Sequence, residues 1–465
     1  MDEITLKNFR CFREEQTAHL APLTLLVGEN STGKTSFMAM IRALWDVAYR
    51  QTDLDFKEEP YDLGSFDEIA HHRGGRGGRA TNFEAGFAAS QRVIQNNQRV
   101  EFATDRSYRF NVTFGRYGTA PVSVIRRFSC DDVWIEELSA HITPPGIPML
   151  LWGTPNGAWE GEISVESLMS EFESSRSWPF HVDPGSLKAR QGSESPTDED
   201  WERLQRLSHI FDEVQEFGRR KQRPYASAPV RSRPQRTYDP ARPTRNPEGD
   251  YVPMYLAEVF FQDKRQWNSL KQKLEKFGQE SGLFDEVSIK PFGRKASEPF
   301  QVQIRKFGSR VKGPQRNLID VGYGVSQVLP VVTELLRGDY FMELLRGPPP
   351  SIFLLQQPEV HLHPSAQAAL GSLFCQIAKP DRQLVIETHS DHLLDRVRMD
   401  VRDGTTPLGP EDVSILFFER KDLDVCIHSL RIDEEGNIEG APDGYRNFFL
   451  AETARSLWKR KSIGT

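Results

Sequence analysis

Polar and hydrophobic positions near the start of the chain change from a strand pattern to a helix pattern around a glycine-rich loop. Residues 3–9 alternate between apolar and polar, which predicts a half-buried strand. Residues 23–27 form a short apolar run that is typical of a buried strand. Residues 37–49 repeat apolar side chains at helical spacing. The predicted order is therefore strand, loop, helix.

The next part of the chain changes character more than once. Four strand-like runs predict an antiparallel sheet. They lie at 83–87, 108–114, 122–128 and 133–135. The composition shifts near Pro144, and residues 163–218 have a helical pattern that the polar stretch 191–200 interrupts. Residues 219–247 hold nine Lys or Arg, six Pro and one acid. This composition fits either a flexible linker or a proline-stiffened strap that faces phosphate.

The C-terminal half alternates regularly between strands and helices, which predicts an α/β unit. The predicted strands are 287–291, 300–306, 352–355 and 383–387. The predicted helices are 264–276, 326–337, 365–377 and 391–398. A closing hairpin is expected at 413–418 and 425–432.

The composition is that of a globular protein without a uniformly basic surface. Of the 465 residues, 38% are hydrophobic and 27% charged, and the net charge is −7, which leaves only a local basic path open. The four cysteines are far apart and lack metal-ligand spacing, as in a reduced intracellular protein. We find neither a signal peptide nor an apolar run of about 18 residues, so we expect a soluble, cytoplasmic protein.

The segment 28–35, GENSTGKT, matches the pattern G-x-x-x-x-G-K-[ST] of a phosphate-binding P-loop, with a strand before it and a helix after it. In such a loop the backbone N–H groups surround phosphate oxygens. The lysine, here Lys34, reaches the β and γ phosphates, and the hydroxyl, here of Thr35, binds Mg²⁺. The motif therefore predicts binding of ATP and Mg²⁺. The expected nucleotide contacts are Asn30, Ser31, Thr32, Gly33, Lys34, Thr35 and Ser36.

Three further motifs follow the P-loop. The glycine turn DVGYGVSQ at 320–327 opens a predicted helix, which is the design of a second anion site. The apolar run 352–355 is followed by QQPE and stands at the place of a Walker B strand, far from the P-loop, as in ATPases whose head is split by an insertion. His389 comes just after the predicted strand 383–387, where a histidine contacts the γ-phosphate and senses its loss.

In this order the motifs resemble those of the RecF/SMC-like ABC ATPases, and more narrowly those of the bacterial AAA_15/AAA_21 group with a DUF3696-like C-terminal segment. The segments ITLKNFRCF, DLGSF, RSRPQRTY, PEVHLHP and ETHS are typical of the group. The resemblance covers about 1–135 and 225–440. It implies an α/β, ABC-type P-loop NTPase head with a mixed central sheet, an antiparallel β lobe and a helical insertion. The two halves of the head would be 1–150 and 251–465, and 151–250 would hold the insertion and the basic segment.

The resemblance also implies roles for residues outside the P-loop. ATP would lie between two copies of the chain, with Gly322, Gly324 and Ser326 of one copy facing the P-loop of the other. His363 would lie in the segment that links the opposing sites, and His389 would be the switch histidine. A homodimer or a higher homo-oligomer follows.

Two positions depart from the group's pattern. Gln356 and Gln357 stand where relatives usually have acids that hold Mg²⁺ or activate water. Because general-base catalysis contributes ~10²–10⁴-fold, we expect weak hydrolysis unless Glu359 or another acid substitutes. Gln356 remains, with Thr35, the expected Mg²⁺ ligand, and it also fits a substitution that traps ATP, since Gln is isosteric with Glu. Gly322 replaces the serine of many ABC heads and removes one hydroxyl donor.

Many relatives act in anti-phage defence, where the ATPase controls a separate nuclease or toxin; the ATPase subunits of the PARIS and Septu systems are examples. The resemblance thus implies an effector protein as a partner. The alternative is a repair-type ATPase that clamps DNA, for which the basic segments 73–79 and 219–247 speak. A third hypothesis makes the chain itself a nuclease, but no TOPRIM-like acidic cluster or HNH pattern follows residue 400.

Histidines near the Walker B and switch motifs raise the alternative of a metal site. They are His361, His363, His389 and His392. They lack a matching pattern of Cys or carboxylate ligands, so we favour the phosphate-contact interpretation.

Overall fold

Two large sheets and one small sheet organise the chain. The computed structural model describes residues 1–50, 56–75, 77–97, 100–139, 141–143, 148–162, 188–189, 194–240, 245–293, 297–337, 350–442 and 445. Buried hydrophobic side chains form two core clusters. One lies between the first large sheet, the helices packed on it and one face of the second large sheet, and the other lies between the opposite face of the second large sheet and the C-terminal helices.

The first large sheet is antiparallel and has nine described strands. They are β1 Glu3–Lys7, β2 Gln16–His19, β4 Phe83–Asn97, β5 Val100–Tyr117, β6 Ala120–Cys130, β7 Val133–Leu138, β8 Met149–Thr154, β9 Gly157–Glu162 and β10 Lys188–Ala189. The order is β10-β9-β8-β7-β6-β5-β4-β1-β2. The inner face is lined by stacked and tilted phenylalanines such as Phe83 and Phe114, whose ring centroids are 4.8 Å apart. The antiparallel lobe expected from the strand-like runs is present.

The second large sheet is mixed and carries the nucleotide motifs. Its strands are β3 Leu23–Gly28, β11 Tyr225–Ser227, β15 Ile352–Gln356, β16 Gln383–Glu387, β17 Val413–Lys421, β18 Asp424–Ile432 and β19 Ile438–Glu439. The order is β11-β15-β16-β3-β17-β18-β19, and the first five strands are parallel. In β3 the side chain of Leu26 enters one core and that of Leu25 the other, because both faces of a parallel sheet are covered.

Helices pack on both faces of the second large sheet. They are α1 Lys34–Trp45, α2 Phe66–Ile69, α3 Asp198–Arg220, α4 Val252–Gln262, α5 Lys264–Ser281, α6 Tyr323–Leu336, α7 Pro364–Ile377 and α8 Asp391–Arg402. A π-helical turn, Asp46–Arg50, extends α1, and two 3-10 turns lie at Leu318–Asp320 and Pro410–Asp412. A small sheet is formed by β12 Glu286–Pro291, β13 Phe300–Arg305 and β14 Arg316–Asn317. None of the described helices is long and apolar enough to cross a membrane.

The region expected to be a helical insertion is only partly helical where the structure describes it. Strands β8 and β9 continue the antiparallel sheet past residue 150, and Leu150 and Trp152 of β8 pack on the same core as the preceding strands. The long helix α3 matches the end of the predicted helical stretch 163–218. The helices expected at 163–187 lie outside the described residues.

The basic segment 219–247 is tied to the head by its own arginines. Arg223 contacts Asp46 and Glu58. Arg236 forms two hydrogen bonds with Asp320, of 2.6 and 2.9 Å, and Arg245 contacts the buried Glu334. Arg231 is 3% exposed. The described part of this segment is therefore a strap held by the head rather than a free linker. We name residues 222–240 and 245–248 the arginine strap.

Candidate functional site

The P-loop joins the end of β3 to the start of α1 at the centre of the parallel strands. Gly33 has φ 86° and caps α1, and a Cβ there would lie 2.5 Å from Cys11 Sγ, so only glycine fits. Thr32 is buried and donates to Glu29 O at 2.8 Å, which closes the loop, whereas Asn30 and Ser31 are exposed. Ser36 accepts a bond of 3.2 Å from Arg10. Because the helix starts at Lys34, its N-terminus faces the loop, as phosphate binding requires.

Lys34 is folded against the carbonyl groups of its own loop. Its Nζ donates to Glu29 O at 2.6 Å and to Gly28 O at 3.1 Å. Burial lowers the pKa of Lys34, while the carboxylates of Glu387 and Glu29 oppose that shift. A bound phosphate would compete with these two carbonyl oxygens for the ammonium group of Lys34.

The hydroxyl of Thr35 is bonded to a carboxylate that the sequence analysis did not select. Thr35 Oγ1 donates to Glu387 Oε2 at 2.9 Å. Glu387 ends β16, the strand between the P-loop strand and the Walker B strand, and it is 6% exposed. The parallel register pairs Glu387 with Gln356 on the neighbouring strand. The sequence did contain a signal for Glu387. It is an acidic residue at the end of an apolar strand, two residues before the predicted switch histidine, and acidic side chains are unusual in buried strands.

Gln356 ends the Walker B strand and is 3% exposed. Its side chain approaches the buried hydroxyl of Tyr61. Neither Gln356 Nε2 nor Tyr61 Oη has a hydrogen bond of normal geometry to the described residues. Of the expected Mg²⁺-side pair, Thr35 makes its side-chain contact with Glu387, whose strand β16 lies between the P-loop strand and the strand of Gln356.

The turn after β15 brings Gln357, Glu359 and His389 together. Gln357 has φ 41°, a left-handed conformation that costs a non-glycine residue about 1–2 kcal/mol, and its N–H donates to Glu387 O at 2.8 Å. Glu359 is 6% exposed and accepts a bond of 2.8 Å from the backbone N–H of His389. Burial raises the pKa of Glu359. Enclosure of part of the His389 ring, together with the Lys34 cation, lowers the pKa of His389, so this imidazole is neutral at pH 7.

The signature residues form a second group at the start of α6. A Cβ on Gly324 would lie 2.8 Å from His361 O, so the glycine permits close packing of α6 on the turn after the Walker B strand. Ser326 Oγ donates to Tyr323 O at 3.0 Å, within its own helix. The exposed His363 caps α7, with Nδ1 3.0 Å from Ser365 Oγ. Of these positions, Gly324 packs against the segment 357–363, to which His363 itself belongs.

The donor set fits a magnesium nucleotide. Hard oxygen ligands suit Mg²⁺, and Thr35 and Glu387 supply a hydroxyl and a carboxylate side by side next to the phosphate loop. Bound there, Mg²⁺ would be held by these two side chains and would neutralise charge that develops on the transferred phosphoryl group. Lys34 would bind the phosphates, Glu387 would orient the hydroxyl, and the neutral His389 would offer an N–H to a phosphate oxygen. Within the described part of the chain no cluster of three or more His, Cys, Asp and Glu side chains is placed to hold a metal ion.

Two family models match parts of this chain. Residues 182–395 match the AAA_21 model, described as "AAA domain, putative AbiEii toxin, Type IV TA system". Residues 1–101 match the AAA_15 model, described as "AAA ATPase domain". The first match includes the signature, Walker B and switch segments, and the second includes the P-loop. The comparison with curated proteins gave no match.

Several solved structures are similar over nearly the whole chain, but at low identity. A head of Smc bound to the C-terminal winged-helix domain of ScpA has 10% identity and a TM-score of 0.42, covering 93% of this chain and 98% of that one. An Smc head derived from Pyrococcus furiosus, bound to the C-terminal domain of ScpA, has 10% identity and a TM-score of 0.42, with coverage of 92% and 96%. The SMC head from Thermotoga maritima has 12% identity and a TM-score of 0.34, with coverage of 92% and 98%.

The strand order, the antiparallel lobe and the four motifs together define an ABC-type P-loop head. The two family matches, each over less than half of the chain, support an ATPase of the AAA type.

Proposed function

We propose that this chain is a regulatory ATPase subunit of a bacterial anti-phage defence system. Two copies, or a higher oligomer, enclose ATP between the P-loop of one copy and the signature turn of another. The nucleotide state of this assembly controls a separate effector protein, a nuclease or a toxin. The observation that carries the proposal is the open signature turn at the start of α6.

That turn offers an anion site that its own chain leaves incomplete. The N-terminus of α6 has no side-chain cap, and a Cβ built on Gly322 meets no atom within 4 Å. Tyr323 is 52% exposed and Ile319 is 40% exposed beside it. Free N–H groups and the helix dipole favour an anion, and exposed apolar side chains favour a protein contact. A second copy that carries ATP in its P-loop supplies both.

The proposals of a separate effector and of a role in phage defence are supported by the family resemblance. The group that the motifs resemble includes ATPase subunits of defence systems, and the matching AAA_21 description names a toxin of a type IV toxin–antitoxin system. Within the described part of the head, no cluster of three or more His, Cys, Asp and Glu side chains is placed to hold a metal ion for nuclease chemistry. A separate protein is the natural source of that activity.

The mass of the assembly tests the oligomer. Light scattering after size exclusion, with ATP and Mg²⁺, is expected to show a dimer or larger species for the wild-type chain. The Lys34→Ala variant, which cannot hold the phosphates, is expected to keep its nucleotide-free mass. A wild-type mass that does not respond to ATP contradicts the sandwich.

Phage challenge tests the effector. Cells that express the chain together with the protein encoded by its neighbouring gene are expected to resist phage, whereas cells with either protein alone, or with Lys34→Ala, are expected to be infected. Protection by the chain alone would assign the effector activity to this chain.

The DNA-clamping alternative is decided by a binding assay. Four arginines of the arginine strap contact the protein itself, namely Arg223, Arg231, Arg236 and Arg245. They are therefore occupied and do not form a free phosphate path. Fluorescence anisotropy with duplex and single-stranded DNA at low salt, with and without ATP, measures the affinity of the chain for DNA. Tight binding that falls steeply with salt favours the repair-type function.

A further inference from the structure

Arg231 is a buried cation without an acidic partner in salt-bridge contact among the described residues. It is 3% exposed, and burial lowers its pKa to about 10. Its Nη2 donates to Gln356 O at 3.0 Å and lies 3.5 Å from Gln357 O. Arginine is almost never fully buried unless it is paired, so this position requires a reason other than general stability.

The backbone of Arg231 is held by the signature helix. Arg231 N donates to Gln327 Oε1 at 3.0 Å, and Gln327 Nε2 donates to Arg231 O at 3.3 Å. Gln327 is 3% exposed and lies on α6, one turn after the signature glycines. A side-chain amide that both accepts from and donates to one residue fixes that residue to the helix.

The guanidinium end holds a strained turn. Gln357 has a positive φ, and its N–H is bound to Glu387 O while Arg231 faces its carbonyl oxygen. Such a conformation persists only where the surroundings enforce it, which is typical of functional sites. Gln357 occupies the position of the usual hydrolytic acid. Its backbone N–H is held by Glu387 O, and its carbonyl oxygen faces the guanidinium of Arg231.

The contact also has unused bonding capacity. Arg231 Nε and Nη1 are buried and have no hydrogen-bond partner among the described residues. Glu359 acts on Arg231 through its charge, and one carboxylate oxygen of Glu359 binds the backbone N–H of His389. A small shift of α6 would bring Arg231 closer to Glu359 or farther from it, and Glu359 is bonded directly to the switch segment.

We infer that Arg231 is a positioning residue that links the signature helix to the hydrolytic turn of the same chain. In the proposed sandwich, α6 faces the nucleotide of the partner copy, whereas Gln357, Glu359 and His389 face the nucleotide of their own copy. The link through Gln327 and Arg231 therefore transmits occupancy of one ATP site to the geometry of the other. This inference rests on the proposed function, since it needs the sandwich of two copies.

The test compares variants at both ends of the link. Arg231→Met removes the guanidinium and keeps its bulk, Arg231→Lys keeps the charge, and Gln327→Met removes the amide from the signature end. The matched control is Arg233→Met, since Arg233 is an exposed arginine two residues farther along the arginine strap. For each variant, kcat, the Kd for a fluorescent ATP analogue, the mass with ATP and the melting temperature are measured.

We expect Arg231→Met and Gln327→Met each to lower kcat by about 10–100-fold, because small misplacements of reacting groups have effects of this size. The Kd for nucleotide and the ATP-dependent mass are expected to stay near the wild-type values. The double variant is expected to be no slower than either single variant, since both act through one link. Arg231→Lys is expected to be faster than Arg231→Met but slower than the wild type. The control Arg233→Met is expected to keep the wild-type rate.

Three results would overturn the link: additive losses in the double variant, a Gln327→Met variant with the wild-type kcat, or a loss of kcat that only follows a loss of nucleotide binding and melting temperature. If Arg231→Met does not fold, Gln327→Met decides, since it leaves the guanidinium in place. A wild-type chain that neither binds ATP nor changes mass would instead contradict the proposed function.

Discussion

Thr35 at the start of α1 and Glu387 at the end of β16 share a hydrogen bond of 2.9 Å, although 352 residues separate them in the sequence. The contact exists because β16 lies between the P-loop strand and the Walker B strand. It places a carboxylate beside the hydroxyl that we expect to bind Mg²⁺, in a site whose expected Walker B positions are the amides Gln356 and Gln357. Glu387 is thus the acid best placed to replace them.

Replacing Glu387 by Gln is expected to lower kcat for ATP hydrolysis by about 10²-fold or more, because the site loses the acid nearest to the expected metal. Binding of ATP should persist, since Lys34 and the loop are unchanged. The rate of phosphate release and the Kd for nucleotide measure the two effects separately. Asp381→Asn, an exposed acid just before β16, serves as the control. An unchanged rate in Glu387→Gln would show that this carboxylate has no part in hydrolysis.

Gln356→Glu is expected to raise the rate of hydrolysis. The new carboxylate would face Mg²⁺ beside Glu387, and the two acids together resemble the usual Walker B arrangement. Without Mg²⁺ the same pair repels, so the variant should melt at a lower temperature in EDTA than the wild type. Phosphate release and thermal melting with and without Mg²⁺ check both effects. Equal rates for Gln356→Glu and wild type would mean that position 356 does not face the metal.

Stability is expected to depend on pH through His389. The folded chain holds the pKa of His389 below its ordinary value of 6.5, so the unfolded chain binds a proton more readily. The wild type should therefore lose free energy of unfolding as the pH falls through about 6.5, and His389→Gln should lose less. Urea titrations of both proteins at several pH values between 5.5 and 7.5 measure the difference. Parallel curves would contradict a neutral His389.

The ion pair between Arg245 and Glu334 is expected to stabilise the fold. Glu334 is completely buried and is also bonded to Tyr251. Leaving a buried charge without a partner costs about 3–5 kcal/mol. Because Arg337 Nη1 lies 3.1 Å from Glu334 Oε1 and still compensates part of that charge, Arg245→Met should lower the free energy of unfolding by less than about 3 kcal/mol. Arg233→Met, which changes an exposed arginine of the same strap, should have little effect. Equal stability of the two variants would show that the arginine strap is not held by its charges.

Much of the fold was readable from the sequence because its signals are local. The apolar run before the P-loop, the glycines of the loop and the later alternation of strands and helices predicted β3, α1, β15 and β16 close to their observed bounds. The start of α1 was missed by three residues, since Lys34 and Thr35 carry no apolar periodicity. Strands β8 and β9 were missed because aromatic and glycine residues between turns resemble no simple period.

The candidate site was only partly predictable. The motifs predicted a P-loop between β3 and α1 and put His389 just after β16, but the contact of Thr35 with Glu387 depends on which strand lies next to β3. The role of Arg231 depends on long-range packing as well, since its partners Gln327 and Gln356 are 96 and 125 residues away in the sequence. Composition indicated either a linker or a phosphate-facing strap, and neither alternative foresaw that its arginines bind the head itself.

The central claim, that each ATP site is shared by two copies, is tested most directly by mixing two defective variants. Lys34→Ala removes the P-loop contact, and Gly322→Glu places a negative charge on the signature turn, where a side chain meets no other atom. Gly322→Ser, which restores the serine of related heads, is the control for the second change. The measurement is the ATP-dependent mass and hydrolysis of each variant alone and of their mixture.

A shared site predicts that neither variant forms the ATP-bound dimer or hydrolyses ATP alone, while the mixture recovers both. In the mixed dimer one site combines the intact P-loop of the Gly322→Glu copy with the intact signature turn of the Lys34→Ala copy. A mixture as inactive as its components, with Gly322→Ser fully active, would contradict a site built from two copies of this chain.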